Sequence, residues 1–303
     1  MRNVAHIFHS AARAAKKPIS FEVFPPKGDL THEVAREMAS HLVKLHPDFI
    51  SVTYSAGGGG NKQATAAIAS MIQDDFAVPT VAHLTCAGMD EAAYERAVGE
   101  LQAYGVHNVL ALRGDLPQGD TSAKAVHQDH DMQQQPFVYA CDLMQRLVAD
   151  GFCVGGAAYP EGHVTCFDDA ANIQHLKLKQ DAGASFLITQ LFFDNDCFYR
   201  FREAALKAGV DVPLSCGIMP FLSKAQIQRM VFMCGASLPA PIIKLLARWE
   251  SDPESLRQAG IEYACNQLVD LARHGVDGLH VYTMNQPDIA HAACSALRAT
   301  GQV

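Results

Sequence analysis

Several features that mark common protein classes are missing from this 303-residue sequence. Its nine cysteines are scattered and never spaced as C-x-x-C, which argues against a disulfide scaffold, a zinc ribbon or an iron–sulfur ligand set. No run of Lys and Arg exceeds two residues and the net charge is −8, so nucleic acid and anionic membranes are not expected as partners. No apolar stretch reaches membrane-spanning length, and the first residues predict a short amphipathic helix rather than a signal peptide. We therefore expect a cytoplasmic protein with reduced thiols.

The sequence does contain eight short apolar runs that are rich in β-branched and aromatic residues and predict strands. These runs span residues 19–24, 49–54, 80–85, 108–112, 152–158, 186–191, 214–219 and 278–283. Helical periodicity lies between them, over residues 31–45, 66–72, 91–104, 139–149, 168–181, 197–208 and 224–233, and the gap 221–277 has room for two or three helices. Buried strands that alternate with helices predict a parallel sheet, and eight such units predict a (β/α)₈ TIM barrel, one domain over residues 1–303. The rival is an open doubly wound sheet, which usually carries G-x-G-x-x-G after its first strand, whereas here that strand ends in Pro25 and Pro26.

Polar residues stand at the carboxyl ends of the predicted strands, where a barrel of this kind carries its chemistry. Glu22 lies inside the first strand, and Gln190 lies inside the sixth, where its amide could donate to and accept from a heterocyclic ligand. The other polar groups at these ends are Thr53, Tyr54, His83, Arg113, Gly114, Asp115, Tyr159, His163 and Tyr282. A pocket rich in hydrogen-bonding and aromatic groups, without an evident nucleophile or metal motif, fits a bound organic cofactor.

These residues also have ordinary structural explanations. Glu22 could form an ion pair, for instance with Arg113, and His83 could be a hydrogen-bonded core histidine. A divalent-metal site built from His83, Glu161 and His163 is a lesser alternative, although the sequence has neither H-x-H nor H-E-x-x-H.

Eight motifs, taken in order, resemble those of the bacterial methylenetetrahydrofolate reductase family. They are SFEVFPPK, SVTY, HLTC, ALRGDLP, AAYPEGH, LKLKQDAGASFLITQLFFD, GIMP and HVYTMN, and the likeness covers about residues 7 to 297. The resemblance implies an FAD-binding barrel in which NADH or NADPH reduces the flavin, and the flavin then reduces 5,10-methylenetetrahydrofolate to 5-methyltetrahydrofolate in a ping-pong scheme. Such an enzyme is an oxidoreductase acting on CH–NH donors and serves one-carbon metabolism and methionine biosynthesis. A homo-oligomer is implied, and the length leaves no room for the C-terminal regulatory domain of the animal enzymes.

The resemblance also implies roles for individual residues. Glu22 matches the general acid that protonates the leaving nitrogen when the folate ring opens. Its apolar neighbours Phe21, Val23 and Phe24 are expected to favour the protonated carboxyl. Asp115 matches an aspartate near the flavin and the pterin, and Gln190 matches a glutamine that contacts both substrates in turn. The implied cofactor-binding positions are Thr53 (toward nicotinamide), Tyr54, His83, Arg113, Gly114, Asp115, Tyr139, Ala140, Tyr159, His163, Asn172, His175 and Lys179. The implied folate-binding positions are Asp115, Gln190, Gln226, Tyr282 and Gln286.

Some positions depart from the family pattern. Asn172 and His175 stand where related sequences have Asp and Asn, and Leu178 stands at a basic position, so the FAD phosphates are expected to be held differently. Met230 stands near a nucleotide-stacking Phe of the relatives, and Gln286 replaces an arginine expected to meet the folate tail. Two other functions stay open: a pterin-binding barrel without redox activity, and another flavin barrel of the proline-dehydrogenase type.

Overall fold

The fold is a closed barrel of eight parallel strands, joined in the order β1 to β8, as the sequence predicts. The computed structural model describes residues 3–25, 32–54, 63–114 and 136–301. The strands are β1 Ile19–Val23, β2 Phe49–Val52, β3 Thr80–Thr85, β4 Asn108–Leu112, β5 Cys153–Ala158, β6 Phe186–Thr189, β7 Leu214–Ile218 and β8 Gly278–Tyr282. The helices are α1 Val4–Arg13, α2 His32–Val43, α3 Gln63–Phe76, α4 Glu91–Ala103, α5 Ala140–Ala149, α6 Asp169–Asp181, α7 Asn195–Lys207, α8 Lys224–Cys234, α9 Ala240–Arg248, α10 Pro253–Arg273 and α11 Pro287–Arg298. Asp115 lies outside the described residues.

The barrel wall separates two apolar layers because successive side chains of a strand face opposite sides. Phe21 and Val23 of β1 face outward and pack with residues of the surrounding helices, such as Leu42 of α2. Ser20 and Glu22 alternate with them and face the barrel interior, where Ser20 meets His280 of β8. The expectation that Phe21 and Val23 surround the Glu22 carboxylate is therefore wrong, since the strand turns them to the opposite face.

Helix α1 closes the amino-terminal end of the barrel. The backbone N–H of Val4 donates to Oδ1 of Asn108 at 3.0 Å. The ring of Phe8 lies 6.1 Å from that of Phe49 and 6.0 Å from that of Phe186, centroid to centroid, and these two residues begin β2 and β6. An aromatic floor thus fills this end and leaves the carboxyl ends of the strands for polar groups. No helix in the described part of the chain is both long and apolar enough to cross a membrane.

The loop between β8 and α11 is tied to the carboxyl end of β1. The Thr283 hydroxyl donates to the Glu22 carbonyl at 2.7 Å. The Asn285 side chain makes two hydrogen bonds with the backbone of Phe24, accepting from its N–H at 3.0 Å and donating to its carbonyl at 2.8 Å. Met284 and Asn285 adopt left-handed backbone angles, φ 53° and 54°, which cost energy for non-glycine residues. These contacts fix the backbone around Glu22 against the last strand.

Candidate active site

Glu22 faces the mouth of the barrel between two histidines. Its Oε2 lies 3.6 Å from Nε2 of His83 on β3 and 3.6 Å from Nε2 of His280 on β8. The ring of His280 is fully buried, with Nδ1 2.7 Å from the Ser20 hydroxyl and Nε2 3.4 Å from the Ser51 hydroxyl. Glu22 itself keeps 19% of its side chain exposed. A polar network from β1, β2, β3 and β8 therefore holds one accessible carboxylate.

Burial favours the neutral forms of two aromatic side chains in this region, those of His83 and Tyr282. Burial lowers the pKa of His83, while the Glu22 carboxylate acts in the opposite direction. Burial, reinforced by Glu22, raises the pKa of Tyr282 well above its usual value, and the Tyr282 hydroxyl donates to the Thr189 carbonyl at 2.7 Å. Nε2 of His83 is buried and has no hydrogen-bond partner among the described residues. A buried nitrogen in that condition marks a place for a ligand atom.

Gln190 is the first residue after β6 rather than part of the strand. Its backbone N–H donates to the Ala158 carbonyl at 2.7 Å, and its side-chain oxygen accepts from the N–H of Leu191 at 2.8 Å. No protein acceptor for its Nε2 is found within the described residues. Gln190 is therefore locked in position with an amide N–H₂ group available to a ligand.

A second cluster lies where β5 joins α6. The Lys179 ammonium donates to the Ala157 carbonyl at 2.6 Å and lies 5.0 Å from the centre of the Tyr159 ring. Tyr159 meets His163 edge to face at 4.9 Å, and Asn172 donates its amide to the Tyr159 carbonyl at 2.9 Å. A helical lysine is solvated by default, but burial of Lys179 lowers its pKa to about 8. These four side chains form a cationic and aromatic wall at one side of the mouth.

A third group follows β4. The Arg113 guanidinium lies 5.8 Å from the centre of the exposed Tyr139 ring, and buried Ala140 begins α5. Gly114 has φ +83°, and a Cβ at this position would lie 2.8 Å from Cβ of Thr85. Only glycine fits that backbone without a shift.

Three other predicted site residues, Thr53, Gln226 and Gln286, form hydrogen bonds in the loops that follow the strands. Thr53 and Tyr54 are half-buried just beyond β2, where the Thr53 N–H donates to the Val23 carbonyl at 2.9 Å. Gln226 accepts from the Leu222 N–H at 2.6 Å and so holds the turn between β7 and α8. Gln286 accepts from Arg257, as described below.

The side chains of His175 and Leu178 are exposed on α6, so neither joins the wall formed around Lys179. The alternative metal site is not assembled. Glu161 accepts from the Ser237 N–H at 3.0 Å, whereas His163 bonds to Thr165. The described residues contain no group of three His, Cys, Asp or Glu side chains placed to hold a metal ion. In the part of the chain that the structure describes, Glu22 lies against His83 and His280, and no ion pair joins it to Arg113.

The sequence interpretation missed His280, Ser20 and Ser51. The alternation in HVYT was the available signal, because it places His280 on the same face as Tyr282, which was selected. The two serines gave no signal that distinguishes them from ordinary strand residues.

Comparison with known proteins identifies the family. The family model described as Methylenetetrahydrofolate reductase matches residues 7–298. The 5,10-methylenetetrahydrofolate reductase of Escherichia coli is 33% identical over 281 residues, which cover 92% of this chain and 90% of that protein. Methylenetetrahydrofolate reductase 1 of Schizosaccharomyces pombe is 35% identical over 277 residues, which cover 89% of this chain and 44% of the longer yeast protein.

The fold has a counterpart among solved structures. A Clostridium thermocellum protein, described as binding two copies of 5-methyl-5,6,7,8-tetrahydrofolic acid, aligns with a TM-score of 0.64 at 12% identity. The alignment covers 97% of this chain and 98% of that one, and it supports the fold alone. With the sequence matches, the conclusion is that this chain belongs to the methylenetetrahydrofolate reductase family of oxidoreductases.

Proposed function

We propose that this protein reduces 5,10-methylenetetrahydrofolate to 5-methyltetrahydrofolate, with NADH or NADPH as the electron donor and FAD as the bound cofactor. Family membership supports the folate reduction. The observation that carries the proposal is the carboxylate of Glu22, held accessible at the barrel mouth between His83 and His280. When bound, FAD supplies a ring that takes a hydride from the nicotinamide and gives one to the folate, the two substrates using it in turn.

Glu22 supplies the proton that the folate requires. The carbon that receives the hydride becomes an acceptor only after a ring nitrogen leaves it, and that nitrogen leaves readily only when it is protonated. Both histidine nitrogens lie 3.6 Å from the Glu22 oxygen, which is too long for a hydrogen bond. The carboxyl is therefore not held in a tight ion pair, and its oxygens are available to meet the leaving nitrogen of the substrate.

The described residues fit a flavin dinucleotide on two observations. His83 presents a buried nitrogen without a hydrogen-bond partner, and Lys179 places an ammonium group beside Tyr159. Lys179 and Arg113 would meet the phosphates, and aromatic Tyr139 and Tyr159 would flank the rings. Asn172 would act by holding the Tyr159 loop in place through its 2.9 Å hydrogen bond.

The remaining predicted residues have roles in binding that follow from their donors and acceptors. Gln190 would donate its Nε2 group to either substrate, and Thr53 would lie toward the nicotinamide. Gln226 and Tyr282 would shape the folate side of the mouth. Asp115, the proposed partner of the pterin ring, stays a prediction from the sequence.

The test is an anaerobic visible spectrum of the FAD-loaded protein. We expect NADH or NADPH to bleach the flavin absorbance and methylenetetrahydrofolate to restore it. Glu22→Gln should keep the first step and lose at least about a hundredfold in the rate of the second, the range of general acid catalysis. Glu91→Gln, which removes a carboxylate that pairs with Arg146 on the surface, is the matched control and should keep both.

Each alternative predicts a different spectrum. A protein that binds folate but stays colourless after FAD is added would contradict the proposal and favour the barrel without redox activity. A flavin that no folate reoxidises, although a reductant bleaches it, would favour another flavin barrel.

A further inference from the structure

We propose that Arg257, on the first turns of α10, binds the carboxylate end of the folate substrate. The inference rests on the function proposed above, because it assumes a folate in the barrel mouth. It names a residue that the sequence interpretation did not select and assigns it a specificity for the glutamate part of the substrate.

The position of Arg257 follows from a chain of hydrogen bonds that starts at Glu22. Thr283 bonds to the Glu22 carbonyl, and Asn285 bonds twice to Phe24, so the loop after β8 lies directly against the end of β1. The next residue, Gln286, accepts from Nη2 of Arg257 at 2.7 Å. The guanidinium therefore lies at the rim of the barrel, on the side where β8 meets β1.

The guanidinium has donors left for a ligand. Its Nη2 also donates to Oδ2 of Asp288 at 2.6 Å. The described residues provide no partner for Nη1 or Nε, and 27% of the side chain is exposed. Both edges of a guanidinium that can hold a carboxylate with two parallel hydrogen bonds include Nη2, which already donates to Gln286 and Asp288. The free Nη1 or Nε group can therefore give a carboxylate one charge-assisted hydrogen bond. Gln286, itself uncharged, keeps its amide N–H₂ beside these donors.

The chemistry of the substrate matches these donors. A tetrahydrofolate is anionic at its glutamate end, and this end lies far from the pterin ring that must reach Glu22. A cation at the rim can therefore meet the glutamate while the pterin lies in the mouth. Asp288 opposes that attraction, because its carboxylate already neutralises part of the Arg257 charge.

This arrangement predicts opposite effects for the two partners of one ion pair. Removing Arg257 should weaken tail binding, whereas removing the Asp288 charge should strengthen it. A purely structural ion pair between α10 and α11 would respond in the same direction to both changes, since either one breaks it.

The experiment is a calorimetric titration of FAD-loaded protein with the reaction product. The probes are 5-methyltetrahydrofolate, its triglutamate form, and 5-methyltetrahydropteroate, which lacks the glutamate. Arg257→Gln should raise the Kd of the two glutamate-bearing probes about tenfold, the loss of one hydrogen bond to a charged group, and leave that of the pteroate unchanged. Asp288→Asn should lower the Kd of the glutamate-bearing probes about threefold.

The matched control is Arg298→Gln. Arg298 ends α11 at the opposite end of the barrel, where it donates to the Leu45 carbonyl, and its replacement should change none of the three Kd values. Equal weakening of all three probes by Arg257→Gln, no weakening at all, or shifts of the same sign in both variants would overturn the proposal. A wild-type protein that binds the pteroate and the folate equally well overturns it too, while leaving the proposed reaction intact. If the wild-type protein binds none of the probes, both this proposal and the proposed reaction are refuted.

Discussion

The ammonium group of Lys179 should give the free energy of unfolding a pH dependence that identifies it. Burial lowers its pKa from 10.5 to about 8 in the folded protein. Between these values the unfolded chain binds more protons than the folded one, so the free energy of unfolding rises with pH when no cofactor is bound. The limit is about 1.4 kcal/mol per pH unit. Since the side chain keeps some contact with solvent, we expect a total rise of about 1–2 kcal/mol across this range.

Bound FAD should raise the pKa of Lys179 again. In the proposed complex, phosphate oxygens beside the ammonium would favour its charged form, so cofactor binding would take up a proton above pH 8. FAD affinity should then fall as the pH rises from about 8, by at most about tenfold per pH unit. The free energy of unfolding and the cofactor affinity thus change in opposite directions over the same range.

The measurements are urea unfolding of the FAD-free protein and quenching of flavin fluorescence on binding, both from pH 7 to 10. Lys179→Met keeps the aliphatic length and removes the charge, so the difference between wild type and variant isolates this group from the other titrating residues. Lys177→Met, two residues earlier on the same helix, removes a lysine paired with Asp181 and is the control. Parallel unfolding profiles for wild type and Lys179→Met would refute the burial argument. A pH-dependent FAD affinity that survives Lys179→Met would refute the phosphate role.

Three further substitutions test the packing of the fold and site. Gly114→Ala should weaken FAD binding and lower the free energy of unfolding by about 1–3 kcal/mol, because the added Cβ would lie 2.8 Å from Cβ of Thr85. Gly88→Ala is the control: its φ is +69° and nothing lies within 4 Å of an added Cβ, so both FAD affinity and the free energy of unfolding should change less. Phe8→Ala should cost about 3–5 kcal/mol in urea unfolding, since it opens the aromatic floor, and a cost below 1 kcal/mol would contradict that role. Tyr282→Phe should cost about 1–2 kcal/mol, because a buried carbonyl loses its donor; an unchanged unfolding midpoint would mean that water replaces the hydroxyl.

The sequence predicted the strands well because barrel strands are buried on both faces and read as continuous apolar runs. The runs 80–85 and 108–112 match β3 and β4 to the residue. The runs 49–54 and 186–191 extend two residues too far, because the apolar pattern continues past the last ladder bonds into the rim. That error placed Gln190 inside a strand, whereas it follows one. The gap 221–277 holds three helices, the upper value of the prediction.

The immediate surroundings of Glu22 could not be predicted in the same way. Along the chain its neighbours are Phe21 and Val23, but the alternation of the strand sends both to the outer layer. Its actual neighbours, His83 and His280, come from distant strands that only barrel closure brings near. The contacts of Arg257 could not be predicted from the sequence either, since they depend on how α10 packs beside α11.

The bond between Thr283 and Glu22 also constrains the order in which the site can form. Residues at the two ends of these contacts are 261 positions apart, so the loop that fixes the β1 backbone is synthesised long after the acid itself. Closing so long a loop is slow and entropically costly until the intervening strands have paired. Glu22 is thus among the first site residues to leave the ribosome and among the last to reach its final place, and a chain that stops before residue 283 cannot hold it in this geometry.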